Sequence, residues 1–297
     1  MTIKHLVISG GGENIFYYIG IFKHLLTEKY LNINDLKSIY ATSSGTMMSV
    51  LLLLNYDMFE IENYMVQKPW NEYLNVDFNR IMNYNKNKGL YDSSLFKTIF
   101  YSLLAGKDLS LDITLKEFYE FSKVEFHLYT VELNSFELVD LSHISHPECK
   151  LLDALNMSCA FPSLISPYCI DDKTYIDGGV LKNYPIELCI QEQTDNSQEQ
   201  INEILGFRNI KINENENKKP INNESSVIDY IIVLVLSLFN IIINKNNHYI
   251  QDINHNYIRL DHSGLTIQGI LNIINSKEKR IEMINKGVEI AKNYINN

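Results

Sequence analysis

The chain opens by using one device twice: a short apolar run, a tight turn of small residues, then a helical segment. His5-Leu6-Val7-Ile8-Ser9 stops at Gly10-Gly11-Gly12 before a helical pattern over residues 16–30. Ser38-Ile39-Tyr40-Ala41-Thr42 stops at Ser43-Ser44-Gly45 before an apolar helix over residues 46–54. Strands of four or five uninterrupted apolar residues must be covered on both faces, and helices that follow them directly provide the cover. The pattern predicts an α/β chain with a central, largely parallel sheet flanked by helices, and it places both turns at one edge of that sheet, where open α/β folds bind ligands.

Further along, Asp57 is placed to cap a helix running to about Val66, and the Asn- and Lys-rich residues 83–88 read as an exposed loop. Residues 124–132 and 136–142 alternate around Asn134-Ser135 as a hairpin does, and residues 151–159 form a helix stopped before Pro162. Asp171-Asp172-Lys173 turns the chain into Thr174-Tyr175-Ile176-Asp177. Residues 192–226 read as loop insertions, with polar stretches at 192–200 and 213–226, and 227–297 as a helical part. In residues 227–243, Asp229, Ser237 and Asn240 interrupt an apolar run at the short limit of a bilayer span, so a buried helix is expected, with a membrane-surface helix as the second reading. Ile281, Ile284, Val288, Ala291 and Ile295 mark the buried face of an amphipathic closing helix. One domain over 1–297 accommodates all of this.

Composition excludes more than it identifies. The 26 Lys and Arg against 36 Asp and Glu leave a net charge of 26 − 36 = −10, which disfavours grip on nucleic acid or polyanionic surfaces by bulk charge. The cysteines Cys149, Cys159, Cys169 and Cys189 are too sparse for a disulfide scaffold and read as reduced thiols of an intracellular, cytoplasmic protein. No secretory signal precedes the first strand. His143, His146, Cys149 and Cys159 have a spacing suggestive of metal ligands, but Pro147 and the absence of a compact cysteine pair make them ordinary loop residues. Trp70, beside Pro69, reads as a packing residue.

Chemistry is concentrated in three short motifs. Ala41-Thr42-Ser43-Ser44-Gly45 is a nucleophile elbow with Ala in its first glycine position; the alternative is that Ser43 simply caps its helix. Gly10, Gly11 and Gly12 can aim backbone N–H groups at one point, as an anion site or an oxyanion hole requires. Neither a G-x-G-x-x-G spacing nor a Gly-Lys-Ser/Thr follows, so nucleotide binding is not indicated. Ile176-Asp177-Gly178-Gly179-Val180, with Asn183 and Pro185 after it, is weak alone and informative only in company.

Taken in order, these motifs resemble the patatin-like phospholipase family. The resemblance adds Ile19-Gly20-Ile21-Phe22-Lys23-His24-Leu25 behind the glycine triplet, Lys88-Gly89-Leu90-Tyr91-Asp92, and the run from Ala154 to Pro162, and it is strongest over residues 3–190. It implies a patatin-like three-layer fold and a Ser–Asp dyad: Ser43 as nucleophile, Asp177 as proton acceptor, and an oxyanion hole from Gly11 and Gly12 with Gly10 shaping the loop. It also implies hydrolysis of phospholipid or other lipid esters through an acyl-enzyme, with no metal or organic cofactor. Ala41, Asn14 and Ile15 depart from the family's pattern; Asn14 stands where many members carry a cation, so slow turnover or an unusual substrate is expected.

Two alternatives remain at this point. A Ser–His–Asp hydrolase would take its histidine from His248, His255 or His262, although Ser43 comes early for that fold. A non-catalytic lipid- or protein-binding member of the same fold would account for Asn14 and Ile15. For an acyl hydrolase of this charge, transient membrane contact is expected through apolar side chains, with Ile15, Phe16 and residues 227–243 as candidates.

Overall fold

The computed structural model describes residues 2–75, 78–211, 253–262 and 275–296, with isolated positions between 221 and 241 and at 272–273. The doubled opening unit becomes β1 (His5–Ile8), α1 (Ile15–Thr27), β2 (Ser38–Thr42) and α2 (Ser44–Leu53). Next come α3 (Met58–Gln67), α4 (Trp70–Tyr73), α5 (Phe78–Asn87), β3 (Gly89–Tyr91), α6 (Ser94–Ala105) and α7 (Leu115–Ser122). The hairpin β4 (Glu125–Glu132) and β5 (Glu137–Leu141) leads to α8 (Leu151–Cys159), β6 (Ser163–Ile165), β7 (Tyr168–Ile170) and β8 (Lys173–Asp177). The rest comprises α9 (Ile186–Gln193), α10 (Gln198–Ile201), β9 (Ile204–Lys211), β10 (Asn256–His262) and α11 (Lys277–Asn296).

The main sheet has the order β10-β9-β1-β2-β4-β8-β7, with β5 also paired to β4. β10, β9, β1, β2 and β4 are parallel, whereas β5, β8 and β7 join as antiparallel partners. β3 and β6 form a separate two-stranded ladder. Alternate residues of β1 and β2 enter two different cores. Leu6, Ile8, Ile39 and Ala41 join the large core with α1, α2, α3 and α8, while Val7 and Tyr40 join Tyr129, Tyr184 and Ile186 on the opposite face. A strand's two-residue period therefore produces three layers: helices, sheet, helices.

One register decides where the chemistry can sit. The first part of β4 pairs with β2, ending at Thr42 opposite Tyr129, and its last part pairs with β8, ending at Asp177 opposite Thr130. β5 occupies the other edge over Leu128 to Glu132, so β2 and β8 share one edge and meet with their C-terminal ends on adjacent residues of β4.

Several sequence expectations need correction. Residues 192–226, read as loop insertions, contain β9, which pairs directly with β1, and the segment read as helical contains β10. Asn83 to Asn87 lie in α5, not in a loop. On α11 the buried face is Arg280, Met283, Ile284, Gly287 and Ala291, and Ile281 is exposed. Most of residues 213–226 lies outside the described residues. In residues 227–243, expected as a buried helix, the described positions are helical but none is buried, and Val227, Tyr230, Leu234, Leu238 and Ile241 are exposed.

Two local expectations match. Asp57 accepts the Phe59 N–H at 2.7 Å as an N-cap, and the Asp171 turn joins β7 to β8. The four cysteines form no disulfide. No helix among the described residues is long and apolar enough to cross a membrane.

Candidate active site

Ser43 sits at the junction of β2 and α2 with φ 53° and ψ −129°, a conformation that is strained for a residue carrying a β-carbon. Its side chain makes no capping bond to α2, so the strain is not explained by helix capping. The surroundings hold the elbow in place. The Ser43 N–H donates to Ser158 Oγ at 3.0 Å, and Ser158 Oγ donates to the Tyr129 carbonyl at 2.7 Å. The Ser43 carbonyl accepts from Thr46 Oγ1 at 2.6 Å. Tyr129 is the β4 residue on which β2 ends, so α8 fastens the elbow to the strand beneath it.

Asp177 closes β8 beside that point. Its Oδ1 accepts the Gly179 N–H at 2.8 Å, while Oδ2 is buried without a hydrogen-bond partner. Burial pushes the carboxyl up to about 6, against the opposing influence of the Ser43 hydroxyl and the Gly179 N–H. Ser43 is therefore close enough to favour the charged carboxylate, although no well-formed hydrogen bond joins the two. The chain turns away at Gly178, where a β-carbon would lie 2.2 Å from the Tyr129 carbonyl oxygen; only glycine passes that close.

The glycine loop is fixed from behind by amides. The Gly10 carbonyl accepts from Asn209 Nδ2 at 2.6 Å and from Asn183 Nδ2 at 3.1 Å, and the Gly10 N–H is directed to the Asn183 carbonyl. A β-carbon at Gly10 would meet the Ser43 β-carbon at 2.7 Å, so the loop lies directly against the elbow. The Gly11 N–H donates to Ser44 Oγ at 3.0 Å, and the Gly12 N–H takes no protein acceptor among the described residues. Asn14 is buried and turned to Asn209 Oδ1 at 3.0 Å, so it supports the loop from behind.

Gly10, Gly11, Gly12, Ser43 and Asp177 line one cavity of about 200 Å³. Its walls are mainly apolar, from Met47, Met65, Trp70, Leu95, Ile99 and Phe161 among others. Trp70 packs edge-on against Phe16 and donates its indole N–H to the Met65 carbonyl, so it is both a packing residue and a wall. Ile15 and Phe16, expected at the surface, are buried in that wall because α1 begins directly behind the glycine loop.

No histidine lines the cavity among the described residues. His255 is committed to Tyr184 and the Ile253 carbonyl; His248 and the side chain of His262 lie outside the described residues. His143 stacks on Tyr119, and His146 bonds Ser145, so neither joins Cys159 at the cavity.

Sequence reasoning missed Asn209, Ser158, Ser44 and Glu13. Asn209 lies in β9, a segment expected as a loop insertion, so nothing in the sequence marked it as a support of the glycine loop. Ser158 falls in the run from Ala154 to Pro162 and Ser44 in the elbow motif, but their hydrogen-bond partners are not local. Glu13 lines the cavity beside the triplet, and its position after a glycine turn gives no hint that its Oε2 is buried.

A strained serine at a strand–helix elbow, a buried carboxylate and a glycine loop around one apolar cavity define a hydrolase-like site on a mixed α/β sheet. The patatin-like phospholipase family model matches residues 6–190, and the chain belongs to that family. A protein of Acanthamoeba polyphaga mimivirus without assigned activity is 25% identical over 263 residues, 86% of this chain and 80% of that protein. A protein of Invertebrate iridescent virus 6 named as a probable lipid hydrolase is 25% identical over 191 residues, 63% of each chain. In structure, VipD from Legionella pneumophila superposes with a TM-score of 0.54 at 15% identity, over 100% of this chain and 67% of VipD. The type III effector protein ExoU gives 0.51 at 12% identity, and this chain spans 53% of it. Together with the family match, these two likenesses establish the patatin-like fold.

Proposed function

We propose that this chain hydrolyses acyl esters of lipids, phospholipids foremost, with Ser43 as nucleophile and Asp177 as the group that takes up and returns the proton. The observation that carries this reading is the unpartnered Asp177 Oδ2, buried in the same cavity as a serine held in a strained elbow. Family membership and the name of the iridescent-virus relative support lipid hydrolysis in general.

Ser43 Oγ attacks the ester carbonyl as its proton passes to Asp177, and the carbonyl oxygen becomes an oxyanion. The Gly12 N–H, and the Gly11 N–H once it leaves Ser44 Oγ, stabilise that charge; one such donor is typically worth ~10²–10³ in rate. The bond to the alcohol breaks as Asp177 returns its proton to the departing oxygen. Water then attacks the acyl-enzyme by the same route, releasing the fatty acid and restoring Ser43. With its carboxyl at about 6, Asp177 is mostly ionised at neutral pH and able to accept a proton.

Contact with the lipid surface is assigned to α5, where Phe78 (73% exposed), Ile81 and Met82 are unburied, next to Leu74 and Tyr91 of the cavity wall. Hydrolysis of a panel of defined lipids, with chelator present, tests the whole reading. Wild type should release fatty acid, and Asp177→Asn should lose on the order of 10³ or more in kcat/KM. Undiminished activity in that variant removes Asp177 from the mechanism. A panel left wholly intact by wild type favours a binding member of the fold.

A further inference from the structure

The cavity holds a second carboxyl that the mechanism above does not use. Glu13 stands in the 3₁₀ turn between the glycine triplet and α1 (Gly12–Asn14), and its side chain lines the same cavity as Ser43 and Asp177. Its Oε2 is buried and has no hydrogen-bond partner among the described residues. The other titratable groups lining the cavity are the Asp177 carboxyl from β8, the Cys159 thiol from the end of α8 and the Tyr91 phenol from β3; Ser43, Ser44 and Asn183 add neutral polar groups, and α3, α4 and α6 contribute apolar side chains. Cys159 stays a neutral thiol because burial raises its pKa, and Tyr91 donates to the Leu74 carbonyl at 2.8 Å. No Lys, Arg or His lines the cavity among the described residues. The described lining therefore carries two carboxyls and no cation, while Arg80 of α5 stacks on the Tyr91 ring, 5.0 Å from its centroid, without itself lining the cavity.

Resting on the hydrolase reading above, we infer that Glu13 is a specificity-determining residue that selects esters carrying an uncharged hydroxyl or an ammonium donor near the scissile bond and rejects those carrying an anionic group there. Two physical arguments meet in it. A buried carboxylate oxygen without a donor is costly, and a hydroxyl or ammonium of the substrate removes that cost. A negative group brought into the same space meets uncompensated charge, which at pocket distances and an effective dielectric of about 20 amounts to roughly tenfold or more in affinity. Burial pushes Glu13 up to about 7, opposed only by its own backbone N–H, so the discrimination changes with pH. It is strong where Glu13 is ionised and weak where it is protonated.

The test compares two decanoyl esters, 1-decanoylglycerol and 1-decanoyl lysophosphatidylglycerol, whose phosphodiester keeps a constant charge. The measured quantity is the ratio of their kcat/KM values at pH 5.5 and 8.5, in wild type and Glu13→Gln. Titration of Asp177 enters both proteins alike. In wild type, the preference for the uncharged ester should rise by roughly tenfold between the two pH values. In Glu13→Gln that rise should shrink to the part Asp177 supplies. A wild-type ratio that does not move with pH overturns the inference without reference to any variant. So does a rise that is equal in both proteins. If wild type cleaves neither ester and Ser43 takes no fluorophosphonate, the hydrolase reading falls and this inference with it. Intact hydrolysis with an indifferent ratio refutes Glu13 alone.

Discussion

Ser43 owes its position less to its own turn than to a serine 115 residues later. Ser158 accepts the Ser43 N–H and donates to the Tyr129 carbonyl, so one hydroxyl satisfies two backbone groups at the elbow. Ser158→Ala leaves both without that partner at a cost of about 1–3 kcal/mol. Thermal melting should show a Tm lower by roughly 2–8 °C, with a fall in kcat exceeding any change in KM. Unaltered kcat in a folded variant would mean that Ser158 does not position the elbow. At this scale the sequence was most informative where a motif is local: the elbow, the glycine triplet and the Asp-Gly-Gly turn are each defined by a few adjacent residues. Ser158, Asn209 and Glu13 act through neighbours brought in by other strands, and no local pattern encodes that.

Among the elements, α5 departs furthest from expectation. Its Asn and Lys content suggests a loop, yet the helix spans Phe78–Asn87 and leaves Phe78, Ile81 and Met82 uncovered beside the cavity wall. Replacing Phe78 and Met82 with Asp should weaken sedimentation with zwitterionic vesicles several-fold, with little response to salt, and leave cleavage of a short soluble ester intact. Equal vesicle binding by variant and wild type would rule out this helix as the contact. The strands β1, β2, β4 and β8 were legible as alternating or apolar runs ended by turn residues. β9 was not, because Gly206, Arg208 and Asn209 interrupt its apolar character between polar stretches. Its place beside β1, with Asn209 behind Gly10, makes it part of the site's support.

Across the whole molecule, the sheet face opposite the large core carries a titratable cluster. His127 stacks on Tyr40 and bonds Asp140 at 2.9 Å. Burial opposes its protonation, but Asp140, Glu192 and Glu125 together outweigh that, so its pKa lies above the usual histidine value of 6.5. A raised folded-state value adds stability that is complete below the unfolded pKa and is lost as pH rises through the folded one. The stability advantage of wild type over His127→Gln should therefore shrink between pH 6 and 9 in denaturant titrations; a gap that widens would reverse the assignment. The large core and the parallel sheet were predictable from the doubled strand–turn–helix unit, since its runs are apolar on both faces. The meeting of β2 and β8 on one edge of β4 was not, because register across 134 residues of chain is a property of the assembled sheet. That meeting bears directly on the proposed dyad. The most direct test is the rate at which a fluorophosphonate labels Ser43, followed by intact mass from pH 4 to 9. The account predicts one adduct, absent in Ser43→Ala, with a wild-type rate that falls as pH drops through about 6 and an Asp177→Asn rate that is low throughout. Labelling at another residue, or a wild-type acid limb kept in Asp177→Asn, would contradict it.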